Sequence, residues 1–244
     1  MKAVAVGLTF GRVELAELLT QWARQSMPCP LFLYFNGIPL PIEYLPPGVV
    51  LEQCAPALSE SSDLAPLGSM MSAAVARARA LFELTPDDAV LVIDDDDYYS
   101  PHHVEATTAA LQRAEWTGAQ RIGIQWRPRQ MPPEIIQAGW GPGQHAAWGY
   151  RLRTYDRAGG YFGGESTRSD VSLGQRMGWA LCSSHRRLTH VRRQFGYASI
   201  SSPQIGFSRE RLRASTPRLA RIQPAQWSAD LDALERWTLA HEIG

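Results

Sequence analysis

The sequence predicts an α/β protein with a mainly parallel, Rossmann-like central sheet covered by helices on both faces. Short β-branched apolar runs alternate with segments of helical periodicity, and a glycine-bearing loop joins the first strand to the first helix. A continuous apolar run at residues 89–93 ends at four consecutive aspartates. Because ligands of such folds gather at the carboxyl ends of strands, the aspartates lie where a binding site is expected.

The predicted elements follow one another in order along the chain. Apolar runs predict strands at residues 3–6, 31–35, 48–51, 89–93 and 121–126. Helical spacing of apolar residues predicts helices at residues 13–24, 68–84 and 101–116. Ser100 and Pro101 suit the N-cap and the first position of the third helix. Residues 128–149 are rich in Pro, Gly and Trp, which predicts a long loop or lid.

Composition indicates an ordinary globular chain. With 244 residues, of which 45% are hydrophobic, it is long enough to bury a large core. Its 3 cysteines are far apart and form no Cys-x-x-Cys pair, which argues against a disulfide framework and a structural zinc site. No run approaches the ~20 apolar residues of a membrane span and no secretion signal is apparent, so we expect a cytoplasmic protein.

The four aspartates carry the strongest functional signal. Two carboxylates about 5 Å apart repel each other by roughly 3 kcal/mol at an effective dielectric constant near 20. Crowding four of them at one strand end is therefore unfavourable unless a positive charge binds there. A divalent cation is the natural candidate.

Charge is distributed unevenly, although Lys plus Arg and Asp plus Glu both number 24. Residues 1–150 carry a balance of −7, whereas residues 151–221 carry a balance of +10. Clustered positive charge indicates an anionic partner for the second half of the chain.

The aspartates and their flanks resemble a known family. Residues 92–101 are similar to the Asp-x-Asp region of family 2 glycosyltransferases with the A-type fold, and the resemblance extends over roughly residues 3–195. It implies that a nucleotide-sugar donor, of which a UDP-sugar is the first choice, binds at the first strand and its loop. Thr9, Arg12 and Asn36 match the family's nucleotide contacts, and Asn36 stands where an acid is more frequent.

Within the acidic run, the resemblance implies a Mg²⁺ or Mn²⁺ ion held by one or two carboxylates and by diphosphate oxygens. One acid of the pair generally also reaches the ribose. Four consecutive acids leave two registers open, Asp94 with Asp96 or Asp95 with Asp97. We favour Asp94 toward the ribose and Asp96 on the metal, with Asp95 close to the nucleotide.

Residues 163–178 resemble the second signature of the family, in which an aspartate precedes a helix and is the general base of inverting enzymes. Asp170 holds this position, while Ser169 replaces the customary glutamate. His190 lies where many A-type enzymes place a metal-binding histidine, and its imidazole suits Mn²⁺ better than Mg²⁺. The resemblance therefore implies Asp170 as the base, and Asp96 with His190 as metal ligands.

The function implied is a metal-dependent, inverting hexosyl- or pentosyltransferase that acts on a hydroxyl acceptor. Bacterial surface glycans are the usual acceptors of such relatives, but the basic region also suits a polyanion such as hydroxymethylated DNA. Aromatic residues that could stack on a sugar or on a flipped base are Trp140, Trp148, Tyr150, Tyr155, Tyr161 and Phe162.

We expect three regions within one compact domain. Residues 1–127 would bind the donor, residues 128–221 would form the catalytic and acceptor-binding part with its Arg-rich segment, and residues 222–244 would hold a C-terminal helix.

Two alternatives compete with the transferase. Asp94-x-Asp96 after an apolar strand is also typical of haloacid-dehalogenase phosphohydrolases, but Tyr98 replaces the expected Thr or Val and Asp170 would be unexplained. Asp94 and Glu105 also occupy positions one and twelve of a calcium-binding loop, a non-enzymatic reading in which Tyr99 replaces the required glycine.

Overall fold

The computed structural model describes residues 1–9, 14–35, 45–53, 67–127, 132–137, 145–161, 169–195 and 229–242. The strands are β1 (Ala3–Thr9), β2 (Leu31–Phe35), β3 (Val49–Gln53), β4 (Ala89–Asp94), β5 (Tyr98–Tyr99), β6 (Trp116–Thr117), β7 (Arg121–Arg127), β8 (Glu134–Gln137), β9 (Gly149–Arg151) and β10 (His190–Phe195). The helices are α1 (Glu14–Trp22), α2 (Leu67–Leu81), α3 (His103–Leu111), α4 (Leu152–Arg157), α5 (Ser169–Met177) and α6 (Ala229–His241).

The central sheet has the strand order β3-β2-β1-β4-β9-β6. Its first four strands are parallel, whereas β9 is antiparallel to both β4 and β6. The chain passes from β1 outward to β2 and β3, and β4 then pairs with the opposite side of β1. The carboxyl ends of β1 and β4 therefore flank the topological switch point, where open α/β sheets leave a crevice for ligands.

Alternating side chains of β1, β2 and β4 enter two separate cores. On one face Val90 and Val92 pack with α2, α4 and α5. On the other face Leu91 and Ile93 pack with α1 and α3. Both faces of the sheet are thus covered by helices, as predicted, because each strand is apolar on both sides.

A second sheet, ordered β5-β10-β7-β8, lies beside the first. Strand β10 runs parallel to β7 and antiparallel to the two-residue strand β5. Helix α6 covers this sheet with Leu231 and Leu234, which pack against Tyr98 and Val191. Because β5 directly follows the four aspartates, this small sheet anchors the far end of the acidic run.

Several predicted boundaries were wrong. The predicted helix at 101–116 begins at His103 and ends at Leu111. Ser100 is not its N-cap, because His102 holds that position. Trp116 lies instead in strand β6, fully buried, and its indole N–H donates to the Gly178 carbonyl.

The segment predicted as a loop at 128–149 also contains regular structure. Strand β8 pairs antiparallel with β7, a 3-10 turn spans His145–Ala147, and β9 begins at Gly149. Cross-strand pairing and not local periodicity defines these short elements. Within the described residues, no helix is long and apolar enough to cross a membrane.

Gly7 allows β1 to approach β4 closely, and a methyl group there would meet the Ile93 carbonyl oxygen at 2.5 Å. We expect Gly7→Ala to lower the free energy of unfolding by about 2 kcal/mol, because backbone and not a flexible side chain must move. Urea denaturation measures the change.

Gly48→Ala is the matched control for this prediction. Among the described residues, nothing lies within 4 Å of the added methyl at Gly48, but its φ of +81° strains an L residue, so the expected loss is only about 1 kcal/mol. Wild-type stability in Gly7→Ala would contradict the close packing of β1 on β4.

Candidate functional site

The four aspartates divide into an accessible pair and a buried pair. Asp94 is exposed and Asp96 is half-buried. Asp95 and Asp97 are each only 4% exposed. The end of β4 therefore presents two carboxylates to solvent and turns two into the protein.

Asp95 contacts the first strand. The hydroxyl of Thr9, the last residue of β1, donates to Asp95 Oδ2 at 2.7 Å, and Thr9 is completely buried. This hydrogen bond crosses the switch point between β1 and β4. The structure thus brings together two predicted nucleotide-binding residues, and it directs them toward each other. A hydroxyl donor stabilises the carboxylate in its charged form.

Asp97 is held by the second sheet. Its Oδ2 atom lies 2.7 Å from His190 Nε2, and its Oδ1 atom accepts the backbone N–H of Arg193 at 3.0 Å. His190 is completely buried and stacks on Tyr99 with 5.0 Å between ring centroids. Both carboxylate oxygens of Asp97 are therefore occupied by donors from β10.

These contacts give His190 a partner that differs from the predicted one. The sequence predicted that His190 and Asp96 bind one metal ion together. In the structure, His190 Nε2 instead lies 2.7 Å from Asp97 Oδ2, inside the protein. Among the residues that the structure describes, no three His, Cys, Asp or Glu side chains are arranged to hold a metal ion. The accessible pair Asp94 and Asp96 instead suits a cation such as Mg²⁺ or Mn²⁺ that takes its other ligands from water and phosphate oxygens.

Tyr99 supports the acidic turn from inside the protein. Its hydroxyl accepts the Asp94 backbone N–H at 2.8 Å and donates to the Ala146 carbonyl at 3.1 Å. Its own backbone N–H donates to Gln21 Oε1 at 2.8 Å. Tyr99 is buried, which raises its phenol pKa well above the usual value and keeps the hydroxyl protonated as a donor. One residue, through its hydroxyl and its backbone N–H, thereby joins the turn to the segment that carries His145 and to α1.

Asp170 lies in the first turn of α5 and is half-buried. Leu173, one turn later, is completely buried in the core beneath the sheet. Arg176 donates to the carbonyls of Ala158 and Gly160 at 2.7 and 2.6 Å. Asp170, Leu173 and Arg176 therefore follow one another at helical spacing on α5, and the contacts of Leu173 and Arg176 fix the position of Asp170.

His145 and Tyr161 lie within electrostatic range of Asp170. Burial lowers the pKa of His145 to about 4, and the charge of Asp170 opposes this shift. Burial raises the pKa of Tyr161 well above its usual value, and the charges of Asp170 and Asp94 raise it further. Because Asp94 and Asp170 both act on Tyr161, the acidic turn and the candidate base border the same region.

Other predicted site residues have different positions. Arg12 and Asn36 lie outside the described residues, as do Trp140 and Phe162. The four remaining aromatic candidates are buried in the core, which leaves little of each ring for stacking on a ligand; they are Trp148, Tyr150, Tyr155 and Tyr161. The calcium-loop alternative is wrong, because strand β4 precedes the aspartates and strand β5 interrupts the loop.

No sequence pattern assigned a role to Gln21, Tyr99 or His145. Gln21 lies on an amphipathic helix and His145 in a segment without periodicity, so neither carries a local signal. Tyr99, the second residue after the acidic run, carries a weak signal, since a buried phenol needs a hydrogen-bond partner.

Asp97→Ala should lower the free energy of unfolding by roughly 3 kcal/mol, because it leaves His190 and the Arg193 N–H buried without their acceptor. Asp96→Ala, at a half-buried position one residue away, is the control and should change stability by less than about 0.5 kcal/mol. Urea denaturation of both variants measures the difference. Equal stability of the two variants would refute the division into accessible and buried pairs.

Comparison with known proteins shows the fold. No family model matches the chain, and no curated protein is significantly similar to it. The 1–349 fragment of S. aureus TarS matches with a TM-score of 0.54 and 14% identity, over 79% of this chain and 60% of that one. The same fragment in complex with UDP-GlcNAc matches with a TM-score of 0.52 and 13% identity, over 84% and 62%.

A further TarS structure matches with a TM-score of 0.53 and 12% identity, over 80% of this chain and 37% of that one. The chain therefore spans less than two thirds of the length of these structures. The described part of the chain has the A-type glycosyltransferase fold predicted from the acidic run and its flanks.

Proposed function

We propose that this protein is a metal-dependent, inverting glycosyltransferase that moves a sugar from a nucleoside-diphosphate sugar to a hydroxyl acceptor. The observation that carries the proposal is the accessible carboxylate pair, Asp94 and Asp96, at the switch point of an A-type sheet. TarS, a glycosyltransferase of this fold, holds UDP-GlcNAc in one of its structures, which supports a UDP-sugar as the donor.

The donor would lie over the carboxyl ends of β1 and β4. We assign Asp94 to the ribose and Asp96 to a Mg²⁺ or Mn²⁺ ion. When bound there, the cation neutralises the charge that develops on the leaving diphosphate. Thr9 and Asp95 would support the nucleotide from below through their mutual hydrogen bond. Arg12 and Asn36 complete the proposed nucleotide site.

His190 takes a supporting role in this proposal. Its Nε2 atom is 2.7 Å from Asp97 Oδ2 and the ring is completely buried, so it is better suited to hold the acidic turn than to be a metal ligand. A residue that fixes a neighbouring ligand also sets the affinity of the site.

Asp170 is the proposed general base. The acceptor hydroxyl oxygen forms its bond to the anomeric carbon while the bond between that carbon and the diphosphate oxygen breaks. The hydroxyl proton passes to the Asp170 carboxylate, and the diphosphate leaves with the electron pair. A single displacement of this kind inverts the configuration at the sugar carbon.

For the acceptor we favour a glycan over a polyanion. Residues 151–221 carry a charge balance of +10. Less of this charge is available to an anionic ligand than the number suggests, because several of the arginines already interact with other groups of the protein. Arg153 pairs with Asp87 and Glu115, and Arg176 donates to two carbonyls. Arg187 pairs with Glu242, and Arg193 pairs with Glu17.

Binding of UDP together with Mn²⁺ should raise the melting temperature by roughly 5 °C at saturating concentrations, and EDTA should cancel the gain. In Asp96→Asn the metal-dependent part of the gain should be lost. Asp170→Asn should keep the whole gain but transfer sugar about 10³-fold more slowly, because only the base is removed. Thermal shift assays and product analysis with a panel of nucleotide sugars measure these effects.

Absence of any shift with every common nucleoside diphosphate would reject the transferase. Unchanged transfer by Asp170→Asn would instead reject only the assignment of the base.

Affinity for hydroxymethylated duplex DNA should be weak at low salt and should vary little with salt, if the acceptor is a glycan. A protein that neutralises many phosphates loses affinity steeply, with a slope of log K against log salt near −0.9 for each phosphate contact. A salt titration by fluorescence anisotropy measures the slope. A steep fall together with sugar transfer to that DNA would establish the polyanion acceptor instead.

A further inference from the structure

Strand β10 turns alternate side chains to opposite faces of the second sheet. On one face Val191 packs with residues of α6, and Arg193 pairs with an acid of α1. On the other face His190 stacks on Tyr99. Because successive side chains of a strand point to opposite faces, Arg192 lies on the same face as His190.

The face that carries Arg192 borders the acidic turn. His190 Nε2 lies 2.7 Å from Asp97 Oδ2, and the Arg193 N–H donates to Asp97 Oδ1 at 3.0 Å. The Asp97 carboxylate is therefore held by residues that precede and follow Arg192 on the strand. The antiparallel register sets His190 opposite Tyr99, and the same register, continued by two positions, places Arg192 opposite Asp97.

On its other side Arg192 borders strand β7. The parallel register sets Arg192 opposite Ile124, and Ile124 packs in one cluster with Ala147. Opposite residues of paired strands share a face, so Arg192 points to the side on which this cluster lies. Arg192 therefore has the acidic turn on one side and, on the other, the strand that packs against the 3-10 turn at 145–147.

The two neighbouring arginines of β10 differ in their access to solvent. Arg193 is only 6% exposed, and Glu17 pairs with its guanidinium. Arg192 is half-buried, so solvent reaches part of its side chain. A ligand that enters the crevice beside the acidic turn can therefore contact Arg192, whereas Arg193 serves the interior.

The proposed donor site would hold more negative charge than one divalent cation offsets. Asp94 and Asp96 lie beside a diphosphate whose own charge grows as it leaves. A protein cation next to the turn would offset the remainder. Arginine suits this task because its planar guanidinium donates two parallel hydrogen bonds to phosphate oxygens and stays charged at every physiological pH.

We propose that Arg192 binds the diphosphate of the donor and stabilises its charge as it leaves. This inference rests on the proposed transferase function. When the bond between the anomeric carbon and the diphosphate oxygen breaks, the electron pair stays on that oxygen and the acceptor proton passes to Asp170. Arg192 neither gains nor loses a proton in this step, and it contributes hydrogen bonds and charge alone.

Uridine, UMP and UDP separate a phosphate contact from a structural role, because they differ only in their phosphates. We expect Arg192→Gln to lower the affinity for UDP about 30-fold and that for UMP less than about 5-fold, and to leave the affinity for uridine unchanged. Arg192→Lys keeps the charge without the planar fork, so it should lower the affinity for UDP only about 5-fold. Isothermal titration calorimetry in the presence of Mn²⁺ measures all three ligands.

Arg157→Gln, at an exposed arginine in the last turn of α4, is the matched control and should leave all three affinities unchanged. Equal losses of affinity for uridine, UMP and UDP in Arg192→Gln would overturn the proposal, because they would show a general distortion of the site. Wild-type affinity for UDP in that variant would overturn it as well.

Inorganic pyrophosphate with Mn²⁺ tests the same contact without a nucleoside. Arg192→Gln should bind pyrophosphate about 10-fold more weakly than the wild-type protein does. Equal affinity of the two proteins, or binding by neither, would overturn the proposal. If the wild-type protein binds no nucleoside diphosphate, the transferase function fails, and the pyrophosphate comparison still decides whether Arg192 is a ligand for the anion.

Discussion

Electrostatic repulsion among four adjacent carboxylates is the constraint on which the rest of the site depends. The protein meets it by sending two of the four inward to donors on separate elements. Asp95 takes the hydroxyl of Thr9 on β1, and Asp97 takes His190 and a backbone N–H of β10. Since these donors belong to different sheets, the acidic turn forms fully only when both sheets are in place.

The same arrangement explains why a two-residue strand follows the aspartates. Strand β5 pairs with β10, and this pairing sets His190 opposite Tyr99 in the register. Tyr99 then supports the backbone of Asp94, while His190 engages Asp97. A small sheet packed under α6 therefore determines the geometry of an edge that belongs to the large sheet. The stability of the second sheet and the geometry of the acidic turn are therefore linked.

Continuous apolar runs in the sequence predicted the central strands of the fold closely. Strand β2 was predicted to the residue, and the run that ends at the aspartates differs by one position, because continuous apolar segments leave little ambiguity. The partner of Asp97 could not be predicted, since 93 positions separate it from His190 and no periodicity connects them. The third helix was wrong at both ends because sheet pairing at Trp116 outweighs helical spacing.

Arg176 has a consequence for how this region can vary. Its guanidinium group joins the last turn of α5 to the carbonyls of Ala158 and Gly160, directly before Tyr161. Both ends of the connection from Tyr161 to Ser169 are thus fixed by one side chain, independently of the residues between them. Loop-closure entropy grows slowly with length, so this connection can be lengthened or exchanged at small energetic cost. Variation between Tyr161 and Ser169 would in this way leave Asp170, the proposed general base, in its place on α5.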